Sequence, residues 1–157
     1  MKEKPGIFIL KVLVLSIFLY ILWYWKGGNY YLYVLDGFLL HLFRTLGIKI
    51  EVFRYQIDIF NNLIPFISLM LLTKDIQFKK RITKLVIGLL ILIGCHILLF
   101  IESNLLQSDY QTRSVWYYRL NAPLCVFSQA LPFLLWVILA KRSLLNLFIA
   151  KKELAAK

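Results

Sequence analysis

Residues Ile82 to Ile101 read ITKLVIGLLILIGCHILLFI, and after Lys84 they carry no formal charge. Helical residues rise about 1.5 Å each, so this stretch covers about 30 Å, the hydrocarbon thickness of a bilayer. A helix in a water-soluble protein buries one apolar stripe and keeps the rest polar. This one is apolar on every face except at Cys95 and His96. It is expected to be a transmembrane helix, and the rest of the chain is expected to be arranged around it.

The composition agrees with that expectation. The chain has 157 residues, 61% of them hydrophobic, with a formal charge of +11. Soluble domains contain about 45–50% apolar residues, so the excess here calls for lipid to cover it. The basic residues fall in blocks beside apolar segments, as at the cytoplasmic ends of membrane helices, and neither a Gly-rich phosphate loop nor a basic–aromatic RNA motif is present. The partner expected from charge is therefore membrane lipid and not nucleic acid. Cys95 and Cys125 lack metal-site or disulfide-framework spacing and read as packing thiols. No HExxH, paired histidine or paired carboxylate motif is present, so no cofactor, metal or catalytic set is expected.

In chain order, Ile7–Trp25 is too long for the apolar core of a signal peptide and is expected to remain as an anchor helix. Trp23, Tyr24 and Trp25 form an aromatic belt at its end, and Lys26-Gly27-Gly28-Asn29 is expected to break it. Residues 30–46 carry apolar residues at helical spacing with Asp36, His41 and Arg44 among them, which predicts a helix lying in the membrane interface. Gly47 is expected to end it. The period-two alternation of residues 48–59 predicts a small β-hairpin on the membrane surface. Further spans are expected at 60–73, 82–101 and 121–140, with a polar loop at 102–119 and a basic surface tail after Lys141. The expected fold is a single all-α integral membrane domain of four transmembrane helices, with an extracytoplasmic interfacial helix and that hairpin.

Topology follows from charge. Residues 74–84 hold five basic residues and one acidic residue, as do residues 141–157, whereas residues 102–119 hold two of each. By the positive-inside rule both termini and the 74–84 loop are expected in the cytoplasm. His96, Asn61, Asn62, Asn121, Ser128 and Gln129 then fall in the outer part of the bundle, with Glu102 and Arg119 at neighbouring helix ends. Polar groups in lipid are costly unless partnered, so these residues are expected to face one another or a wet pocket. Two readings stay open. They are interhelical hydrogen-bond glue, with His96 donating to Asn62, Ser128 or Gln129, or they line an outward-facing site for a lipid headgroup, a peptide segment or a partner helix. A catalytic pocket using His96 with Arg119 or Glu102 is the less favoured alternative. Cys95 and His96 diverge by about 100° on a helix and cannot pair locally.

The run LGIKIEVFRYQIDIFNNLIPFISLMLLT, the basic loop after it and LVIGLLILIGCHILLF resemble, in segment order, the exosortase/archaeosortase superfamily of membrane proteins. In that family a short extracytoplasmic β-like segment leads into a helix that starts with a Cys-Ser-Gly-type nucleophile motif. An Arg and a His from later helices complete the active site. The helix start here reads Phe60-Asn61-Asn62-Leu63, without Cys or Gly, and so departs from the catalytic pattern. The chain is more similar to the small non-catalytic proteins of such systems, the exosortase H-associated membrane proteins. That likeness rests on Asn62-Leu63-Ile64-Pro65-Phe66, the Leu-rich helix ending in His96, and Pro132-Phe133-Leu134-Leu135-Trp136. It implies an accessory protein of the bacterial inner membrane. Such a protein would work beside an exosortase-type transpeptidase or recognise a membrane-anchored sorting-signal helix.

Overall fold

The computed structural model describes residues 5–47, 57–73, 76–106 and 115–141; the side chains of residues 57–59, 102–106, 115–118 and 120–122 lie outside that description. Every regular element among the described residues is helical. Helix α1 (Pro5–Leu22) opens on a proline, whose missing N–H costs nothing in a first turn. It passes through a π-helical turn, Trp23–Gly27, into α2 (Gly28–Thr45). A 3-10 turn, Ile57–Asn62, leads into the short α3 (Leu63–Leu72). Helices α4 (Phe78–Leu106) and α5 (Val115–Leu139) complete the bundle.

The expected break at residues 26–29 does not occur. Gly27 and Gly28 keep right-handed helical backbone angles, and the Gly28 N–H bonds to the Trp23 carbonyl, one residue further back than in an α-helix. Glycine permits a break but does not enforce one. Here its lack of a side chain makes room, because a Cβ on Gly28 would lie 3.1 Å from the Trp23 indole nitrogen. The anchor helix of residues 7–25 and the helix of residues 30–46 are thus one continuous rod, Pro5–Thr45, of 41 residues. At 1.5 Å per residue it is roughly 60 Å long, twice a bilayer's hydrocarbon thickness. Gly47, at φ +71°, ends it as expected, in the left-handed conformation that closes many helices.

Other boundaries move as well. Residues 57–59 of the expected hairpin lie in the 3-10 turn; residues 48–56 lie outside the described set. Helix α4 begins before residue 82 and runs past residue 101, while α5 begins at Val115, so residues 102–106 and 115–119 of the expected loop are helix and residues 107–114 lie outside the described set. Of the basic tail, residues 142–157 lie outside the described set. Two helices, Pro5–Thr45 and Phe78–Ile101, are long and apolar enough to cross a membrane, and Phe60–Leu72 and Pro123–Leu139 are shorter apolar helices.

Packing divides into two layers. In the first, Phe66 and Met70 of α3 meet Leu92 of α4 and Leu131 and Leu135 of α5. Helices α3 and α4 approach closely there because Gly88 leaves space for the fully buried Phe66 ring. In the second, Leu35, Leu39 and Phe43 of α2 pack on Phe60 and Phe100. Helix α1 runs beside α3 but buries none of its own residues. Leu13 and Ile17 of α1, Val86 and Leu90 of α4, and Val126 and Ile138 of α5 are all exposed. An apolar surface of that extent, spread over three helices, needs an apolar covering.

The basic residues near the C-terminal ends of α3 and α5 have structural duties. Arg81 donates to the Leu71 carbonyl at 2.9 Å and to the Ile76 carbonyl at 3.0 Å. Lys84 donates from Nζ to the Leu139 carbonyl. Both place positive charge where the last carbonyls of a helix lack partners and its dipole is negative. Close by, the Trp136 indole N–H donates to Thr73 Oγ1 at 3.0 Å, and the Trp136 ring stacks on Phe8 of α1 at 6.0 Å.

Candidate functional site

Pro132 determines the direction of a buried hydrogen-bond chain. It sits inside α5 and has no N–H to give the carbonyl four residues earlier, which is that of Ser128. In apolar surroundings that carbonyl must find another donor. It accepts from Asn62 Nδ2 at 2.9 Å, and the same nitrogen donates to Ser128 Oγ at 3.0 Å. A carbonyl oxygen only accepts, so the Asn62 amide is held with its nitrogen toward α5 and its oxygen toward α4.

The rest of the chain follows from that orientation. Asn62 Oδ1 lies 2.8 Å from His96 Nε2, so Nε2 must carry the hydrogen. A neutral imidazole with its hydrogen on Nε2 has an acceptor at Nδ1, and the Tyr31 hydroxyl donates to it at 2.7 Å. Tyr31 on α2, His96 on α4, Asn62 before α3 and Ser128 on α5 are joined in one directed sequence. His96 is 0% exposed, and the Phe60 ring stands edge-on to it at 4.8 Å. Asn62 occupies the N-cap position of α3 yet makes no side-chain cap there. Its amide is committed across the bundle instead.

The expected cluster is therefore assembled only in part. Asn62, His96 and Ser128 come together, while Gln129 and Arg119 are exposed and take no part in this chain. The side chains of Glu102 and Asn121 lie outside the described set. Asn61, 7% exposed, lies to one side and donates from Nδ2 to the Tyr24 hydroxyl at 3.2 Å. Tyr31 escaped the sequence reading because it falls in a segment assigned to the interface, where a tyrosine carries no signal of interior contact. The role of Ser128 did have a signal, since a proline four residues on in an apolar helix marks an unpaired carbonyl.

Among the described residues, three buried polar atoms of this region have no hydrogen-bond partner: Trp23 Nε1, Asn61 Oδ1 and Asp36 Oδ1. A buried unpaired polar group costs about 1–3 kcal/mol, so each calls for an explanation. Cys95 and Cys125 are not joined in a disulfide, both are partly exposed, and neither occupies a ring nitrogen of His96. Among the described residues, no cluster of His, Cys, Asp and Glu has the makings of a metal site.

Fold and site together define a chain whose regular elements, among the described residues, are all helical, with two of those helices long and apolar enough to cross a membrane and a polar chain bonded across its interior. No family model matches it, and neither a curated protein nor a solved structure does.

Proposed function

We propose that the chain is a four-span protein of a bacterial inner membrane with both termini in the cytoplasm, acting as a non-catalytic accessory of an exosortase-type transpeptidase. Helices α1, α4 and α5 and the Phe60–Leu72 segment form the spans. The α2 half of the long rod stands beyond the outer boundary, against the last turns of α4. The apolar exposed faces of α1, α4 and α5 support a lipid covering, and the cations at residues 79–84 support the cytoplasmic placement of that end.

The observation that carries the accessory reading is the closure of the polar chain. Both ring nitrogens of His96 and both polar atoms of the Asn62 amide bond to partners from other helices. A general base needs a free nitrogen within reach of the proton it removes. The one O–H that His96 holds belongs to a half-buried phenol. The cluster thus serves to fix how four helices sit, which suits a protein that presents a surface to a partner. Which partner follows from the sequence resemblance.

The test is co-purification in mild detergent from membranes that carry an exosortase, with crosslinking and mass spectrometry. The transpeptidase, or its membrane-anchored substrate, is expected to be retained with the tagged chain. Isolation of the chain alone, together with unchanged surface-protein sorting after its deletion, would refute the proposal.

A further inference from the structure

Helix α2 is covered on one face only. Leu35, Leu39 and Phe43 turn into the bundle, while Tyr30, Tyr33, Val34 and Phe38 are between 58% and 79% exposed. Tyr30, Val34, Gly37, His41 and Arg44 are all exposed and follow one another in alternating steps of four and three residues. That is the spacing with which one helix meets another along a seam. Gly37 leaves room in the middle of the stripe, because a Cβ there would meet nothing within 4 Å.

Height and charge say what this stripe fits. Trp23, Tyr24 and Trp25 mark the outer boundary of the hydrocarbon, and headgroups extend about 5–7 Å beyond it. Phe38, ten residues past Gly28, stands about 15 Å above the start of α2, beyond the reach of lipid. At the far end of the stripe the exposed polar side chains are His41 and Arg44. The acid of α2, Asp36, lies off the stripe with one carboxylate oxygen buried. Two copies inserted the same way in one membrane would pair their upright α2 helices in parallel and set Arg44 against Arg44, so the stripe does not complement itself. It complements a helix with apolar residues at the same spacing and a carboxylate opposite Arg44.

We infer that the exposed stripe of α2 is a docking face for an acidic amphipathic helix from the extracytoplasmic part of another protein. The apolar residues of that helix pack on Tyr33, Val34 and Phe38, its backbone approaches over Gly37, and its carboxylate pairs with the Arg44 guanidinium. Tyrosine and arginine are among the residue types that carry most of the energy at protein interfaces. The stripe lies opposite Leu39 on α2, so docking breaks no bond of the His96 chain. The inference deepens the accessory reading and rests on its membrane placement, but not on the identity of the partner.

The experiment puts the photoreactive residue p-benzoylphenylalanine in place of Tyr33 in the tagged full-length chain. The chain is irradiated in the membranes of its own cell, and the crosslinked peptide is sequenced by mass spectrometry. The expected product joins this position to a segment of another protein with apolar residues at helical spacing and Asp or Glu among them. Arg44→Glu, which turns attraction into repulsion, is expected to lower the yield about fivefold, and Arg44→Lys to keep it within about twofold. Gly37→Leu is expected to abolish the crosslink while the melting temperature in detergent does not fall, since nothing in the fold lies against that position. Products with lipid alone, with the same chain or with a second copy would overturn the inference. So would a protein product whose yield ignores both Arg44→Glu and Gly37→Leu. An acidic helix from a protein that is neither an exosortase nor its substrate would support the docking face and refute only the partner proposed above. A chain that stays in solution without detergent would overturn the membrane placement and the docking face with it.

Discussion

Replacing His96 by leucine puts an apolar side chain of similar bulk in its place but removes two hydrogen bonds from a fully buried site. Two groups are then stranded: Asn62 Oδ1, which loses its donor, and the Tyr31 hydroxyl, which loses its acceptor. Each unpaired buried group costs about 1–3 kcal/mol, so His96→Leu should destabilise the bundle by about 2–6 kcal/mol. For a chain of this size 1 kcal/mol corresponds to about 2–4 °C, which makes the expected fall in melting temperature roughly 4–24 °C. His96→Gln offers an amide N–H to Asn62 and an amide oxygen to Tyr31, reproducing both roles, and should stay within about 1 kcal/mol of the wild type. In the pair His96→Leu with Asn62→Leu, the loss should be less than the sum of the single losses, because the second change removes one stranded atom. The assay is thermal unfolding in a fixed detergent, followed by near-UV circular dichroism at pH 7. A leucine variant that melts with the glutamine variant would refute the view that the directed chain holds the helices together. So would strictly additive effects in the double variant.

Gly88→Ala drives a Cβ into the Phe66 ring, which has no exposure, and should cost about 1–3 kcal/mol by overpacking. The same change in a Phe66→Leu background should be much milder, and melting of all four combinations checks this. Pro132→Ala returns an N–H to α5 that competes for the Ser128 carbonyl, so the cost of Asn62→Leu, measured as a shift in melting temperature, should be smaller in that background. Gly47→Ala forces a side chain into φ +71° and should cost about 1–2 kcal/mol, again read by melting. For topology, a cysteine placed at Ser108 should be labelled from outside intact cells and one at Gln77 should not. The reverse pattern would overturn the cytoplasmic placement of the termini.

Composition and one uninterrupted apolar stretch are enough to identify helices built for an apolar environment, because the free energy of burying that surface depends on residue type and not on partners. Gly47 was legible for a related reason: a left-handed helix end is a local backbone requirement that glycine meets. The grouping of Asn62, His96 and Ser128 was foreseen because polar atoms in apolar segments have few ways to be satisfied. The π turn was not legible, since Gly27-Gly28 permits both a break and a continued helix. The choice between them depends on the Trp23 indole packing over Gly28 and on α2 finding Phe60 and Phe100 to cover Leu35, Leu39 and Phe43. The partnership of Tyr31 with His96 spans 65 residues of sequence, and no local pattern encodes it. The direction of the hydrogen-bond chain was likewise decided in three dimensions. Pro132 frees a carbonyl wherever it sits in a helix, but only the packing of α3 against α5 brings the Asn62 amide to that carbonyl and so sets which nitrogen of His96 carries the hydrogen.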